Sequence, residues 1–190
     1  MKNYTGILFL IVGNSGSGKD SIISGVIQKY PSSLKKIYAP KRYITREPSG
    51  FESNIAVSLK KFKEMEVQGK FALKWSIYGL NYGIPIEIEN CLEKGHPVII
   101  NVSRTIVKEA REKYKNVKVI FIEVPFDITY HRIKNRKREE EHLLRERIER
   151  AKNNQKFPEA DYTINNAGEL NDAVNNCLTY LLNIVNKKKT

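Results

Sequence analysis

A run of residues near the start of the chain has the types and spacing of a loop that binds phosphate groups. It reads Gly13-Asn14-Ser15-Gly16-Ser17-Gly18-Lys19-Asp20-Ser21, which matches the pattern Gly-x4-Gly-Lys. The glycines allow backbone N–H groups to curve around a phosphate, and Lys19 adds a positive charge for the β- and γ-phosphates. We call this run the phosphate loop and predict that all its residues contact ATP. The alternative is a Gly/Ser-rich turn without a ligand.

The residue after the lysine departs from the usual pattern, which has Ser or Thr there as a ligand of Mg²⁺. This chain has Asp20, and Ser21 follows it. Carboxylate and hydroxyl oxygens are hard ligands that suit Mg²⁺, so we predict Asp20 and Ser21 as the metal ligands. The carboxylate also brings negative charge near the triphosphate, which the metal or a cation must offset. A degenerate, non-catalytic loop is the alternative.

Strand-like and helix-like segments alternate along the chain, which predicts an α/β fold with a mostly parallel sheet. Apolar residues 7–12 predict a strand buried on both faces before the phosphate loop, and residues 21–30 predict a helix after it. The pattern predicts further strands at 38–45, 98–102, 117–124 and 161–164, and a C-terminal amphipathic helix at 169–185. This order places the phosphate loop at the carboxyl end of a core strand.

Two segments interrupt the alternation. Residues 46–85 are mixed and rich in Gly, Tyr and charge, and residues 132–155 are highly charged and helical. We interpret them as an insertion and a lid, two flaps on one domain of residues 1–190 whose core is 1–45, 86–131 and 156–190. In the lid, Arg132 and Arg136 are four apart and share a helix face, as do Arg147 and Arg150 at a spacing of three. The alternative is an exposed helix pair whose arginines pair with neighbouring glutamates.

Composition limits the class of protein. The chain has 190 residues, 41% hydrophobic and 28% charged, with only two cysteines, which predicts one soluble domain in the reducing cytoplasm. No stretch has the roughly 20 apolar residues that cross a bilayer, so we expect no membrane partner. The net charge of +12 is compatible with a nucleic-acid-binding protein. The basic run has no interleaved aromatic residues, however, and we expect that nucleic acid is not a partner.

The layout resembles that of nucleoside monophosphate kinases, and of guanylate kinase in particular. Thr45-Arg46 resembles the entry to the family's acceptor site, and Tyr82-Gly83 resembles its acceptor-phosphate motif. The late arginines resemble the lid that closes over ATP. The resemblance implies a P-loop NTPase three-layer α/β fold with a parallel sheet, an acceptor-binding insertion and a helical lid.

The residues that recognise guanine in that family are replaced by other residue types in this chain. The place of the base-recognising glutamate falls on Leu73, and a second acceptor-phosphate arginine is replaced by Ser49. Asn54 stands where the family has an aromatic phosphate ligand, and Ile84 follows the Tyr-Gly motif in place of a small hydroxyl residue. A base whose donors are left unpaired binds poorly, so we expect guanylate to be a poor acceptor.

At these positions the chain resembles another branch of the same superfamily, the ribose 1,5-bisphosphate phosphokinases. The shared segments lie at residues 16–21, 42–46, 54–58, 69–75, 78–85 and 101–104. The resemblance covers nearly the whole chain and includes the aspartate of the phosphate loop. It implies ATP-dependent phosphorylation of ribose 1,5-bisphosphate to 5-phosphoribosyl 1-diphosphate with Mg²⁺.

The resemblance also implies residue roles. Lys19, Arg136 and Arg147 would act on the transferred group, and Arg132 would bind the nucleotide. The predicted acceptor ligands are Arg42, Thr45, Arg46, Glu52, Tyr82 and Arg104. The partners would be ATP and a small phosphorylated sugar, and the enzyme would be a monomer or homodimer. A guanylate or other nucleoside monophosphate kinase and a non-catalytic guanylate-kinase-like binding module stay open as alternatives.

Overall fold

A computed structural model describes residues 1–46, 54–135 and 141–187. The strands are Leu8–Gly13 (β1), Arg42–Ile44 (β2), Asn54–Ala56 (β3), Phe71–Ile77 (β4), Leu80–Pro85 (β5), Val98–Asn101 (β6), Val117–Glu123 (β7) and Tyr162–Asn165 (β8). The helices are Lys19–Lys29 (α1), Leu59–Val67 (α2), Ile88–Glu93 (α3), Val107–Lys113 (α4), Phe126–Lys134 (α5), Glu141–Asn153 (α6) and Leu170–Lys187 (α7). A short 3-10 helix, Arg104–Ile106, precedes α4.

The strands form two four-stranded sheets. One has the order β6-β1-β7-β8, with β7 and β8 parallel. The side chains of residues 8–12 in β1 are completely buried, as expected for a central strand of a parallel sheet covered on both faces. The α/β fold with a parallel sheet, predicted from the alternation of apolar runs and helices, is therefore confirmed.

The chain divides into two compact units. The first unit consists of Met1–Phe9 and Ser32–Val117, and the second of Leu10–Pro31 and Lys118–Thr190. The phosphate loop belongs to the second unit, where α1 and α7 pack against each other; a Cβ on Gly25 would lie 2.6 Å from Val174. The acceptor residues predicted within the described part of the chain belong to the first unit. The predicted boundaries of core, insertion and lid stay predictions.

The first unit contains the second sheet, in the order β3-β2-β5-β4. Here the structure differs from the strand predicted at residues 38–45. Tyr38 forms only an isolated bridge with Val98, and β2 begins at Arg42 in the other sheet. Pro40 lies between them, and a proline has no N–H to continue a hydrogen-bonded ladder. The chain therefore leaves one sheet at Tyr38 and enters the other at Arg42.

Residues 54–85 are more regular than an insertion of mixed composition suggests. They hold three strands and a helix, and β4 and β5 form an antiparallel hairpin. Leu73, Trp75 and Ile84 are buried, and Phe71 stacks on Phe62 of α2 at 4.6 Å between ring centroids. This hairpin with α2 packed against it has an apolar core of its own.

A largely buried carboxylate ties the N-terminal residues to α3 in the first unit. Glu89, whose side chain is 11% exposed, accepts hydrogen bonds from Lys2, from the Tyr4 hydroxyl at 3.0 Å and from the Tyr114 hydroxyl at 2.7 Å. Burial alone would raise the pKa of Glu89, but these hydrogen bonds outweigh it and hold the pKa below its ordinary value of 4.5. The carboxylate therefore stabilises the folded chain in its ionised form.

This depressed pKa predicts an acid-sensitive contribution to stability. Because the folded pKa lies below the unfolded one, the contribution is present above about pH 4.5 and is lost as the pH falls through the folded value. We expect the free energy of unfolding to decline over that interval and Glu89→Gln to flatten the decline, as measured by denaturant titrations at several pH values. Glu93→Gln, at an exposed position of the same helix, is the matched control and should keep the wild-type slope. Equal slopes for wild type and Glu89→Gln would contradict the assignment.

None of the helices in residues 1–46, 54–135 and 141–187 combines the length and the hydropathy that a bilayer crossing requires.

Candidate functional site

The phosphate loop joins β1 to α1 in the second unit. Gly18 is the N-cap of α1 with φ +87°, and a Cβ there would lie 2.4 Å from Nδ2 of Asn166. Gly16 also has a left-handed φ of +79°, and its Cβ would lie 3.4 Å from the carbonyl oxygen of Thr129. Only glycine adopts this backbone form without strain and leaves room for these neighbours. The loop therefore requires its glycines for conformation and for close packing.

The Lys19 side chain lies across the phosphate loop. Its Nζ donates to the carbonyl oxygens of Gly13 at 2.9 Å and of Asn14 at 2.8 Å, and it lies 3.4 Å from Oγ of Ser17. Ser17 is completely buried. These neutral oxygens hold the ammonium group on the loop itself, where a point charge can meet phosphate oxygens.

Asn166 supports the phosphate loop from a buried position, whereas the sequence placed Asn165 and Asn166 only as possible contacts of adenine. Its side chain is buried, and Nδ2 donates to the carbonyl oxygen of Ser17 at 2.8 Å. Its own carbonyl oxygen accepts from Nη1 of Arg132 at 3.3 Å. The one available signal was its place directly after β8, since ligands gather at the carboxyl ends of parallel strands.

Arg132, predicted to bind the nucleotide, lies on α5 next to the phosphate loop. Its Nη1 is 3.4 Å from the carbonyl oxygen of Gly16, and a Cβ on Gly16 would lie 3.3 Å from the Arg132 Cβ. The structure thus brings this arginine of the predicted lid to the loop. Its contact is with the loop backbone.

A side chain of the phosphate loop is also hydrogen-bonded to the end of α6. Nδ2 of Asn14 donates to the carbonyl oxygens of Ala151 at 3.2 Å and of Asn154 at 2.9 Å. The last carbonyls of a helix lack partners within the helix, so Asn14 acts as a cap for α6. The predicted lid arginines Arg147 and Arg150 lie on this helix, both half-buried. Arg136, the third predicted catalytic residue, lies outside the described residues.

The predicted metal ligands Asp20 and Ser21 lie in the first turn of α1, and both are exposed. A carboxylate at a helix N-terminus is favoured by the helix dipole. Two adjacent oxygen donors fit Mg²⁺, which usually binds one or two protein groups together with phosphates and water. Across the described residues, no three His, Cys, Asp or Glu side chains group together as a metal site. The donor set therefore fits a metal that arrives with a nucleotide.

The predicted acceptor residues Thr45 and Tyr82 both belong to the first unit, where Thr45 directly follows β2 and Tyr82 lies on its partner strand β5. The Thr45 Oγ1 accepts from the N–H of Asn81 at 2.9 Å, and Ile44 pairs with Tyr82 in the antiparallel ladder of β2 and β5. The Tyr82 ring stacks on Trp75, with centroids 5.2 Å apart and planes at 1°. Trp75 is buried and thus packs against the tyrosine of the Tyr-Gly motif.

The predicted acceptor arginines also belong to this unit. Arg42 opens β2, and its Nη1 donates to the carbonyl oxygen of Asn101, the last residue of β6, at 3.2 Å. Arg104 begins the 3-10 helix that follows β6, and Arg46 is half-buried just after β2. The structure therefore connects the start of β2 with the end of β6. Glu52, the remaining predicted acceptor ligand, lies outside the described residues.

Leu73, at the place predicted for the base-reading glutamate of guanylate kinases, is a core residue. It is 1% exposed and pairs with Ile84 across the hairpin of β4 and β5. No acidic group takes its place at this position, and its side chain fills apolar space. The predicted acceptor residues described in the first unit thus supply cationic and hydroxyl groups, and Leu73 belongs to the apolar core.

Comparison with known proteins extends this description. The guanylate kinase family model matches residues 6–184. A ribose 1,5-bisphosphate phosphokinase of Bradyrhizobium diazoefficiens is 37% identical over 86% of this chain and 81% of its own length. Another, from Methylobacterium radiotolerans, is 34% identical over 93% of this chain and 97% of its own length.

A solved structure shares the fold. The guanylate kinase of Anaplasma phagocytophilum superimposes with a TM-score of 0.65 over 95% of this chain and 87% of its own, at 17% identity. Nucleotide binding and transferase activity follow from these kinase relatives and from the match to the family model. The chain therefore belongs to the guanylate kinase family, in the branch that holds the ribose 1,5-bisphosphate phosphokinases, and it is a kinase.

Proposed function

We propose that the chain transfers the γ-phosphoryl group of ATP to the 1-phosphate of ribose 1,5-bisphosphate and releases ADP and 5-phosphoribosyl 1-diphosphate. The observation that carries the proposal is the acceptor chemistry of the first unit. Arg42, Arg46 and Arg104 supply positive charge, while Leu73 is buried where a guanine-reading acid would stand. An acceptor rich in phosphate and without a base fits this set. The names of the relatives support the same acceptor.

The reaction needs charge neutralisation and alignment more than a strong base. An oxygen of the acceptor's 1-phosphate attacks the γ-phosphorus while the bond to the β-phosphate oxygen of ADP breaks. The attacking group is already an oxyanion at neutral pH, so no proton has to be removed. Charge then accumulates on the transferred oxygens and on the leaving ADP, and cations stabilise it.

On the donor side, the phosphate loop would bind the β-phosphate through its backbone N–H groups. Lys19 would exchange its contacts with the Gly13 and Asn14 carbonyl oxygens for phosphate oxygens. Arg147, together with Arg136, would act on the transferred group, while Arg132 would bind the nucleotide through the loop it contacts. Mg²⁺, held with Asp20 and Ser21, would neutralise part of the triphosphate charge.

On the acceptor side, the arginines would bind the two phosphates of the sugar, and Thr45 and Tyr82 would add hydroxyl donors. Several arginines are physically expected, because ATP and a bisphosphate bring many negative charges together. Glu52 is proposed to bind sugar hydroxyls. The cytoplasmic location and the monomeric or homodimeric state also stay proposals.

The test is an assay of ADP release with ATP and Mg²⁺ that compares ribose 1,5-bisphosphate, GMP, AMP and no acceptor. We expect turnover with the ribose bisphosphate alone and the appearance of a diphosphate signal in the phosphorus NMR spectrum of the product. Turnover with GMP would instead support a guanylate kinase and overturn the interpretation of Leu73. The absence of ADP release with every acceptor would overturn the proposed reaction.

A further inference from the structure

Asn54 and Arg42 are direct neighbours in the second sheet. They are the first residues of β3 and β2, and they are paired in the register of these two parallel strands. Nε of Arg42 donates to Oδ1 of Asn54 at 3.2 Å, while Nη1 of the same guanidinium donates to the carbonyl oxygen of Asn101 at 3.2 Å. The two contacts lie on different edges of the planar group, so they define its orientation as well as its position.

The surroundings of the pair limit its freedom further. Arg42 and Asn54 are half-buried, and Asn101 is 7% exposed. An arginine side chain loses much rotational freedom when it is held in one geometry. When the protein itself orders the side chain before the ligand arrives, the ligand does not bear that entropic cost. The pair therefore preorganises the guanidinium.

The chemical type of residue 54 is the second observation. Oδ1 of an asparagine accepts a hydrogen bond without carrying a charge, so the guanidinium keeps its full positive charge. A carboxylate at the same place would form a strong ion pair with Arg42 and would compete with any phosphate for it. The amide thus orients the arginine without itself adding a carboxylate that would compete with a phosphate.

We infer that Asn54 is a positioning residue, which orients Arg42 to bind a phosphate group of the acceptor. The residue stands at the place predicted for the aromatic phosphate ligand of guanylate kinases, and its Oδ1 accepts from Nε of Arg42. The inference rests on the proposed function, because it needs a phosphorylated acceptor at the first unit.

The test is a double-mutant cycle with Arg42→Ala, Asn54→Ala and the combined variant. Binding of ribose 1,5-bisphosphate is measured by calorimetry, and the KM values for ribose 1,5-bisphosphate and for ATP are measured alongside. We expect Asn54→Ala to weaken acceptor binding by about tenfold, as for one lost hydrogen bond to a charged group, with the KM for ATP unchanged. In the Arg42→Ala background, Asn54→Ala should have almost no further effect.

The Asn54→Asp variant distinguishes an effect of residue 54 on Arg42 from an effect on the stability of the sheet. This variant keeps the hydrogen-bond acceptor and should unfold at the wild-type temperature, yet the added charge should weaken acceptor binding by at least as much as alanine does. Asn90→Ala, at an exposed position of α3, is the matched control and should bind like wild type.

The outcomes are distinct. Additive losses in the cycle, or wild-type binding by Asn54→Ala, would overturn the inference while leaving the proposed function in place. Binding of the ribose bisphosphate without turnover would contradict the proposed reaction, and the binding cycle would still decide the role of Asn54. No binding of this compound by the wild-type chain would overturn both.

Discussion

Lys19→Ala is expected to lower kcat by about 100- to 1,000-fold, the usual loss when one preorganised donor to developing charge is removed. The structure gives the physical reason, because Nζ of Lys19 is held on the loop by the Gly13 and Asn14 carbonyl oxygens. Removing the ammonium leaves the β- and γ-phosphates without that point charge. The measurement is steady-state ADP release with saturating ATP and acceptor.

A lysine on the same helix provides the control. Lys29 is exposed at the end of α1 and contacts Asn171 and Asn175 of α7, so Lys29→Ala should change the unfolding temperature slightly and leave kcat intact. Lys19→Arg tests whether charge alone is enough; we expect poor rescue, because the larger planar guanidinium does not match the compact ammonium. A kcat within twofold of wild type for Lys19→Ala would contradict the role of the phosphate loop in catalysis.

The Leu73→Glu substitution is expected to have the second large effect. We expect the folded protein to lose stability without any gain of guanylate kinase activity. At 1% exposure, opposite Ile84, a glutamate would bury a carboxylate among apolar side chains. An uncompensated buried charge costs about 3–5 kcal/mol, which corresponds to roughly 10 °C in unfolding temperature for a chain of this size. Thermal unfolding and GMP-dependent ADP release measure the two parts of the prediction.

Leu73→Met is the matched control for this position. A swap that conserves volume and polarity usually costs less than about 1.5 kcal/mol, so this variant should fold and keep its acceptor preference. A stable Leu73→Glu protein that phosphorylates GMP would show that one residue separates the two branches. That result would contradict our description of residue 73 as a core position.

The local part of the nucleotide site could be predicted from the sequence. The apolar run before the phosphate loop and the helix after it were expected at residues 7–12 and 21–30, and the structure has Leu8–Gly13 and Lys19–Lys29. The strand, the phosphate loop and the helix lie within one short stretch of sequence, and the glycines of the loop mark the positions with a left-handed backbone. The helix begins earlier than expected, because Gly18 serves as its N-cap.

The second sheet could not be predicted in this way. Its strands β2 and β3 have three residues each, which is too short for an alternation of polar and apolar residues to stand out. Their pairing depends on which distant strand lies beside them, and β2 pairs with β5 as well as β3. β2 was therefore expected only as part of a longer strand at 38–45, and the other three strands appeared as part of an irregular insertion at 46–85.

The same limit applies to the site. The types of Arg42 and Tyr82 made them candidates, but that Asn54, Asn101 and Trp75 are their partners follows only from contacts across strands. Asn166 is the clearest case, since its buried amide reaches a carbonyl oxygen of the phosphate loop that is far away in sequence. Positioning residues are defined by what they touch, and a single sequence does not contain that information.

The cap that Asn14 provides for α6 has a thermodynamic consequence. A ligand that changes the strength of the two hydrogen bonds from Asn14 to the carbonyl oxygens at the end of α6 changes the stability of that helix end by the same free energy. By reciprocity, anything that holds or loosens the helix end alters the affinity of the loop for phosphate by an equal factor. Through Asn14, a ligand that alters these two hydrogen bonds would therefore be coupled to the stability of the helix that bears Arg147 and Arg150.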